Sequence, residues 1–467
     1  MEQRKKVAFL TLGCKTNQYE TNGMMQKFIE AGYEICDLNE NPDIYVVNTC
    51  TVTNIADRKS RQSLRRIKNK NNTIIVAVGC YAQIAKEELQ KMSEIDIVLG
   101  NKEKKDIVEY VEEYLKIVAN KKMQPLVVVK NTITNSDEQK NNVKEFSAKG
   151  TIVEVGDISK QEEFDEYGCV TYTERARTEI KIQDGCNNFC TYCAIPFARG
   201  RIRSRKKENV LKEVETLAKQ GIKEIVLTGI HIASFGKDFE EDYKLIDLLE
   251  DLNKIDGIER IRLGSLEPTI ITDEFVKRLL KLEKVCNHFH LSLQSGCDET
   301  LKRMNRKYTT EEFKQVTELL RKYLKDVNLT TDIIVGFPGE TEEEFNITYK
   351  FLEDIAFYKM HVFKYSKRDG TVAAKMPNQV DGNIAEERSE KLIKLSEKNM
   401  KMYNEKYIGR EVEVLFEEKQ DEFWVGHTRN YMVVKVKTDK DLENFIITTK
   451  VLQDQGEELI GKILKFF

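Results

Sequence analysis

Short apolar, β-branched runs punctuate the first 115 positions. VAFLTL (7–12), DIYVVNT (43–49) and TIIVAV (73–78) are each followed by a polar stretch with helical spacing, and strands alternating with helices predict a parallel α/β sheet. All three runs end at a cysteine: Cys14, Cys50 and Cys80. Ligand sites in open parallel sheets form where the carboxyl ends of strands converge, so three thiols distant in sequence can meet there. From 119 to 171 the periodicity fades into a polar and then acidic stretch, predicted as a linker with one or two edge strands. A second alternation begins near 175, with TEIKIQ (178–183), KEIVLTG (223–229), IERIRLG (258–264), HFHLSLQ (288–294), NLTTDIIVG (328–336) and KMHVFKY (359–365). Six βα units predict a barrel or part-barrel with its site at the strands' carboxyl ends. The last stretch changes character again. REVEVLFEE, FWVGHTRNYMVVKVK, NFIITTKVL and GKILKFF predict a small antiparallel β domain. The fold class is therefore multidomain α/β, divided into 1–118, the linker 119–171, 172–403 and 404–467.

Composition narrows the class. The chain has 467 residues, 40% hydrophobic and 33% charged, which excludes wholesale disorder. No run approaches the roughly 18 apolar residues of a spanning helix, and MEQRKKVAFL lacks the apolar stretch of a signal peptide, so no membrane association and a cytoplasmic location are expected. With 75 Lys+Arg against 78 Asp+Glu, any nucleic-acid binding must come from local patches. Two stand out: Arg58, Lys59, Arg61, Arg65, Arg66, Lys68 and Lys70 after Cys50, and Arg199, Arg201, Arg203, Arg205, Lys206 and Lys207 further on. Charge runs are usually solvated faces. Arg65, Arg66, Arg201 and Arg203 are nevertheless the predicted phosphate contacts.

Ten cysteines in a reducing compartment do not build a disulfide framework. The sharpest spacing is Cys186-Asn-Asn-Phe-Cys190-Thr-Tyr-Cys193, directly after the first barrel strand. Three thiolates without a fourth ligand at matching spacing point to a site that keeps one position open: a cubane iron–sulfur cluster, with zinc as the alternative. Cys36, Cys169, Cys286 and Cys297 have no ligand spacing and are expected to be structural. His288 and His290 share one side of a strand and are expected to be packed or hydrogen-bonded. Thr228-Gly229 sits at a strand end, where glycine suits either close approach of a ligand or plain turn geometry. Ser292 and Gln294 are expected to point toward the site.

CxxxCxxC on the first loop of a βα barrel resembles the radical S-adenosylmethionine superfamily. TLGCKTNQYET (11–21), Cys50, Cys80, DGCNNFCTYC (184–193), RGRIRSR (199–205), GSLEP (264–268), HFHLSLQSGCDETLKRMNRKY (288–308) and TDIIVGFPGETEEEF (331–345) occur in the order of the methylthiotransferase family within it. The residues after Cys14 are most similar to the branch acting on N6-threonylcarbamoyladenosine in tRNA, which usually reads GCKVNQYET, so Thr16 departs from it. The branch acting on N6-isopentenyladenosine tends to read GCQMN, and the one acting on a ribosomal-protein aspartate GCPKN.

The resemblance implies an N-terminal cluster domain, a radical S-adenosylmethionine barrel and a C-terminal TRAM domain. It implies that Cys186, Cys190 and Cys193 hold a 4Fe–4S cluster whose open iron chelates S-adenosyl-L-methionine, which is cleaved to a 5′-deoxyadenosyl radical. Cys14, Cys50 and Cys80 would hold a second 4Fe–4S cluster that carries the inserted sulfur. Thr228, Gly229, Ser292 and Gln294 would face the cofactor, and no side chain is expected as acid or base. The implied activity is methylthiolation at C2 of N6-threonylcarbamoyladenosine next to the anticodon. N6-isopentenyladenosine or a ribosomal-protein aspartate are the alternative substrates, and a zinc-dependent RNA-binding protein is the alternative without catalysis. Implied partners are the tRNA anticodon stem-loop, a low-potential electron donor such as flavodoxin or ferredoxin, and a sulfur donor. A TRAM domain binds RNA, yet residues 404–467 carry 10 Lys+Arg against 13 Asp+Glu. Stacking by Trp424 and Tyr431 is therefore expected to replace charge there.

Overall fold

The runs read as strands contain strands in the computed structural model, which describes residues 4–67, 73–121, 145–146, 151–172 and 176–464; the last three residues of GKILKFF lie outside these. The chain divides into two compact units. The first comprises 1–161, 165–172 and 197–200, and the second the remainder.

In the first unit, β1 (Lys6–Thr11), β2 (Glu34–Ile35), β3 (Ile44–Thr49), β4 (Ile74–Gly79), β5 (Ile97–Leu99), β6 (Glu145–Phe146) and β7 (Ile152–Glu154) form one sheet. Its order is β2-β1-β3-β4-β5-β7-β6, and only β6 runs antiparallel to its neighbour. Every residue of β3 and β4 is buried, as expected where both faces of a parallel sheet are covered. Val46, Val76 and Val78 pack with Tyr19, Met24 and Phe28, whereas Val47, Ile75 and Ala77 pack with Leu64 and Leu89. Because β1, β3 and β4 are neighbours, their carboxyl ends lie side by side at the strand spacing of about 4.8 Å.

Part of the predicted linker belongs to this unit. β7 pairs with β5 through buried Ile152 and Val153. Tyr167 meets Tyr19 edge-on, with ring centroids 6.4 Å apart. Gln26 accepts from the Thr171 backbone at 2.8 Å and donates to the Cys169 carbonyl at 2.8 Å. Of the one or two edge strands expected in this stretch, β6 lies at the sheet's edge, whereas β7 lies inside it, between β5 and β6. Residues 122–144, with Lys68 and Lys70, lie outside the described residues.

The second unit contains β8 (Arg177–Asp184), β9 (Arg203–Ser204), β10 (Glu224–Gly229), β11 (Arg260–Leu263), β12 (His288–Gln294), β13 (Asn328–Val335) and β14 (Lys359–Lys364). β8, β10 and β11 pair in parallel, as do β12, β13 and β14, and parallel bridges Ile261–Val285 and Leu266–Leu291 join the two groups. This is the expected six-stranded part-barrel, with short β9 added antiparallel to β8. The helices Thr310–Tyr323 and Glu342–Ile355 each open on a capping box, Thr309/Glu312 and Thr341/Glu344, which satisfies their first N–H groups. The C-terminal strands β15 (Glu411–Gln420), β16 (Phe423–Thr428), β17 (Val433–Lys437), β18 (Ile446–Asp454) and β19 (Glu458–Ile463) close into a small barrel, consistent with a TRAM domain.

That small barrel is held by residues at the starts of the part-barrel's strands. Arg177 pairs with Glu417 at 3.4 Å, Arg260 donates to the carbonyls of His427 and Glu413 at 3.0 and 3.1 Å, and Asn328 to that of Asn430 at 2.8 Å. Lys359 pairs with Glu457 at 2.7 Å, and Arg262 donates to the Arg429 carbonyl at 3.0 Å. Glu224 is the buried counter-charge, with Arg262 Nε at 2.7 Å. Burial alone would raise the pKa of Glu224, but Arg262, with Arg177 and Arg260, holds it at about 2, so it is ionised at neutral pH. The carboxyl ends of the same strands are left for the site.

Candidate functional site

The N-terminal thiols are set by strand ends. Cys14 caps the helix Lys15–Glu30 after β1, Cys50 follows β3, and Cys80 opens the helix Cys80–Ile84 after β4. Gly13 and Gly79 make two of the turns with φ of 101° and 97°, a region open to glycine at little cost. A side chain at Gly13 would lie 2.7 Å from the Cys50 sulfur. Asn17 ties the strands together, donating to the carbonyls of Leu12 (2.7 Å) and Thr49 (3.0 Å). The Ser60 hydroxyl accepts from the Cys50 N–H at 3.3 Å and donates to its carbonyl at 3.1 Å. Burial, with Cys80 and Cys14 adding to it, pushes the Cys50 thiol up to about 12. Buried Arg199 donates through Nε to Cys80 Sγ at 3.1 Å, and Asn101 Nδ2 lies 3.7 Å from the same sulfur.

In the second unit the Cys186–Cys193 loop follows β8, as predicted. Phe189 takes a left-handed φ of 46°, and Asn305 pins the loop by donating to the carbonyls of Asn188 and Phe189 at 3.3 and 3.1 Å. The Thr191 N–H donates to the Met304 carbonyl at 3.1 Å. N–H groups also aim at the sulfurs: Asn188 N to Cys186 Sγ at 3.5 Å and Arg306 Nη1 to Cys190 Sγ at 3.3 Å. Glu267, from GSLEP, gathers Asn188, His231 and Arg306, each at 2.9 Å. Burial by itself would raise its pKa, but the His231 hydrogen bond and the Arg306 charge bring it to about 2, which makes it a fixed anion.

Burial pushes Cys186 up to about 11 and Cys193 to about 12, so these sulfurs become thiolates only when a metal takes the place of the proton. Hydrogen-bond donors directed at them suit a thiolate-held cluster. Among the described residues no three His, Cys, Asp or Glu side chains converge tightly enough for one ion. A cubane does not require that, because each thiolate binds a different iron.

The remaining expected residues divide. Ser292 and Gln294 alternate with His290 on the half-buried side of β12. The Ser292 carbonyl accepts from Arg306 at 3.3 Å and from the Tyr308 hydroxyl, and Gln294 sits at a bulge with φ 72°. Ser292 adjoins the Cys190 side of the loop through Arg306, which reaches both its carbonyl and the Cys190 sulfur. Thr228 is buried. Gly229 has a packing reason: a side chain there would lie 2.8 Å from the Gln183 carbonyl, and Gln183 itself donates to the Asp184 and Gly185 carbonyls at 2.7 Å beneath the loop. His288 and His290 bond Thr330 at 3.0 Å each, as expected.

Three of the expected RNA contacts are corrected. Arg203 is 1% exposed, pairs with Asp184 at 3.6 Å and donates to the Arg201 carbonyl at 2.9 Å. Trp424 lies in the core of the C-terminal barrel, where its large apolar area contributes most. Tyr431 is sandwiched between His288 and His427, with ring centroids at 4.6 and 4.7 Å, and Arg262 lies over it at 4.7 Å. Arg65, Arg66 and Arg201 are exposed, and the Arg201 guanidinium sits 4.6 Å from the Phe189 ring centre. Asn17, Glu20, Asn188, Asn305, Arg306 and Glu267 are further residues of the two cysteine sites that residue type and spacing do not single out. All six stand inside the quoted motifs, which were the available signal.

Comparisons with known proteins follow this division. Residues 6–100 match the model described as Uncharacterized protein family UPF0004, and 180–352 that of the Radical SAM superfamily. The chain is 42% identical, over 96% of its length and 94% of the relative's, to the threonylcarbamoyladenosine tRNA methylthiotransferase MtaB of Bacillus subtilis. It is 38% identical to the protein of the same name from Aquifex aeolicus, covering 94% of this chain and 99% of that one. To a tRNA-2-methylthio-N(6)-dimethylallyladenosine synthase of Clostridium perfringens it is 34% identical over 99% of this chain and 98% of that one. Among solved structures, the radical S-adenosylmethionine methyltransferase TsrM from Kitasatospora setae shares the fold, with TM-score 0.54 at 15% identity over 77% of this chain and 72% of that one.

Proposed function

The chain belongs to the radical S-adenosylmethionine methylthiotransferase family, and from that premise we propose that it methylthiolates C2 of N6-threonylcarbamoyladenosine beside the anticodon of tRNA. The observation that carries this reading is 42% identity over nearly the whole chain to the enzyme named for that nucleoside, against 34% to the dimethylallyladenosine synthase. The family's cofactors are S-adenosyl-L-methionine and 4Fe–4S clusters. We assign one cluster to Cys186, Cys190 and Cys193 and the other to Cys14, Cys50 and Cys80. When bound, they supply the one-electron chemistry that an adenine C2–H, inert to acids and bases, requires.

The chain's own residues prepare for that chemistry. Asn305 fixes the conformation of the barrel loop, and Arg306 places positive charge and an N–H against Cys190. Glu267 holds Arg306, His231 and Asn188 in one network, so the loop is organised before anything binds. Asn17 and Ser60 do the same for the N-terminal thiols. Ser292 and Gln294 are the assigned cofactor-facing positions of β12. A low-potential electron donor, such as flavodoxin or ferredoxin, and a sulfur donor complete the reaction. No helix among the described residues is long and apolar enough to cross a membrane, and we place the enzyme in the cytoplasm with its tRNA.

Nucleoside mass spectrometry of tRNA from a deletion strain tests the substrate. The 2-methylthio form of N6-threonylcarbamoyladenosine should vanish, its unmethylthiolated precursor should accumulate, and the wild-type gene should restore the product. Loss of the isopentenyladenosine derivative instead would reassign the branch.

Exposed Arg65, Arg66 and Arg201 are assigned to tRNA phosphates. Their joint replacement by Glu should weaken tRNA binding and flatten the plot of log affinity against log salt by about one per lost contact. Filter binding at several salt concentrations measures both. Unchanged affinity and slope would return these side chains to ordinary solvated positions.

A further inference from the structure

Arg199 lies six positions after Cys193 in sequence, but its segment, Phe197–Gly200, is part of the N-terminal unit. There its guanidinium is fully buried. Nη1 and Nη2 reach the two oxygens of Glu20 at 2.7 and 2.9 Å, and Nη2 also donates to Asn17 Oδ1 at 2.7 Å. Lys104 pairs with the same Glu20 carboxylate and donates to Asn101 Oδ1 at 2.7 Å. Asn101 in turn donates to the Ala198 carbonyl at 2.7 Å, fixing the segment that carries Arg199. Glu20, Lys104, Asn17 and Asn101 are all at most 3% exposed. The fork is thus locked on one edge by a carboxylate and an amide, and its Nε–H is directed at Cys80 Sγ at 3.1 Å.

Burying a guanidinium, an ammonium and a carboxylate is costly unless their geometry serves something. Here two cations meet one carboxylate, and the arginine's remaining edge faces a sulfur. A hydrogen bond from a buried cation to a ligating sulfur stabilises the more negative, reduced form of a cluster and raises its potential. We infer that Arg199 is a positioning residue for the N-terminal cluster: it holds the Cys80 sulfur and sets the cluster's reduction potential. This rests on the assignment of Cys80 as a ligand. Lysine cannot reproduce the arrangement, because one ammonium cannot span Glu20, Asn17 and the sulfur as a planar fork does.

The test uses the full chain with Cys186, Cys190 and Cys193 replaced by Ala, so that only the N-terminal cluster remains. Arg199→Lys in that background should keep its iron and sulfide. Its midpoint in an EPR-monitored redox titration should move negative by about tenfold in the reduction equilibrium, about 59 mV for one electron. An unchanged midpoint in the iron-replete variant overturns the inference. A second measurement needs no substitution at 199. With 15N-arginine incorporated, the reduced cluster should show a 15N coupling in pulsed EPR, and its absence overturns the inference whether or not Arg199→Lys folds. Cys80→Ala in the same background separates the premise: undiminished iron there removes Cys80 as a ligand, irrespective of what Arg199 does.

Discussion

Replacing Cys186, Cys190 and Cys193 together by Ala is expected to lower reconstituted iron from about eight to about four per chain and to abolish S-adenosylmethionine cleavage. The three sulfurs lie on one loop, and that loop is also held by contacts that use no cysteine side chain, from Asn305 to the Asn188 and Phe189 carbonyls and from Asn188 to Glu267. The loop should therefore persist without the thiols, and what disappears is the ability to ligate. Iron and sulfide analysis with a product assay for 5′-deoxyadenosine reads both quantities. Full iron in the triple variant would overturn the assignment of this loop.

The complementary change, Cys14, Cys50 and Cys80 to Ala, should leave S-adenosylmethionine cleavage intact while sulfur insertion into tRNA falls below detection. Each substitution removes one sulfur and leaves the valine-rich core of β3 and β4 untouched. The strand ends remain tied by Asn17. Cleavage and insertion are then measured on the same preparation, by 5′-deoxyadenosine release and by nucleoside mass spectrometry. Loss of both would mean that the two cysteine sets do not act separately.

Much of the fold was legible because short β-branched runs mark buried parallel strands wherever they occur. The expectation that Cys14, Cys50 and Cys80 can meet follows from strand ends alone, and the sheet order places β1, β3 and β4, which precede them, side by side. Burial of charge was not legible. Arg199, Arg201 and Arg203 alternate in one basic run, yet Arg199 and Arg203 are buried and only Arg201 is exposed. The partner that decides the first of these, Glu20, is 179 residues away in sequence. Aromatic residues misled for the same reason. Trp424 and Tyr431 stand in a domain expected to touch RNA, but one fills its barrel and the other meets His288 of β12. A periodic pattern reports which side of a strand is covered, and it does not report what covers it.

The discontinuity of the N-terminal unit also orders events in time. Ribosomes deliver a chain amino end first, at about 5–20 residues per second. When Tyr172 has emerged, every strand from β1 to β7 exists, but Phe197–Gly200, which the folded unit contains, does not. Glu20 and Lys104 then share their pocket without the guanidinium that completes it. Closure of the first unit therefore waits until the nascent chain has passed the cysteine loop of the second. The earliest-made thiols thus wait for a segment made after the cysteine loop, and premature loading with iron meets an unfinished pocket.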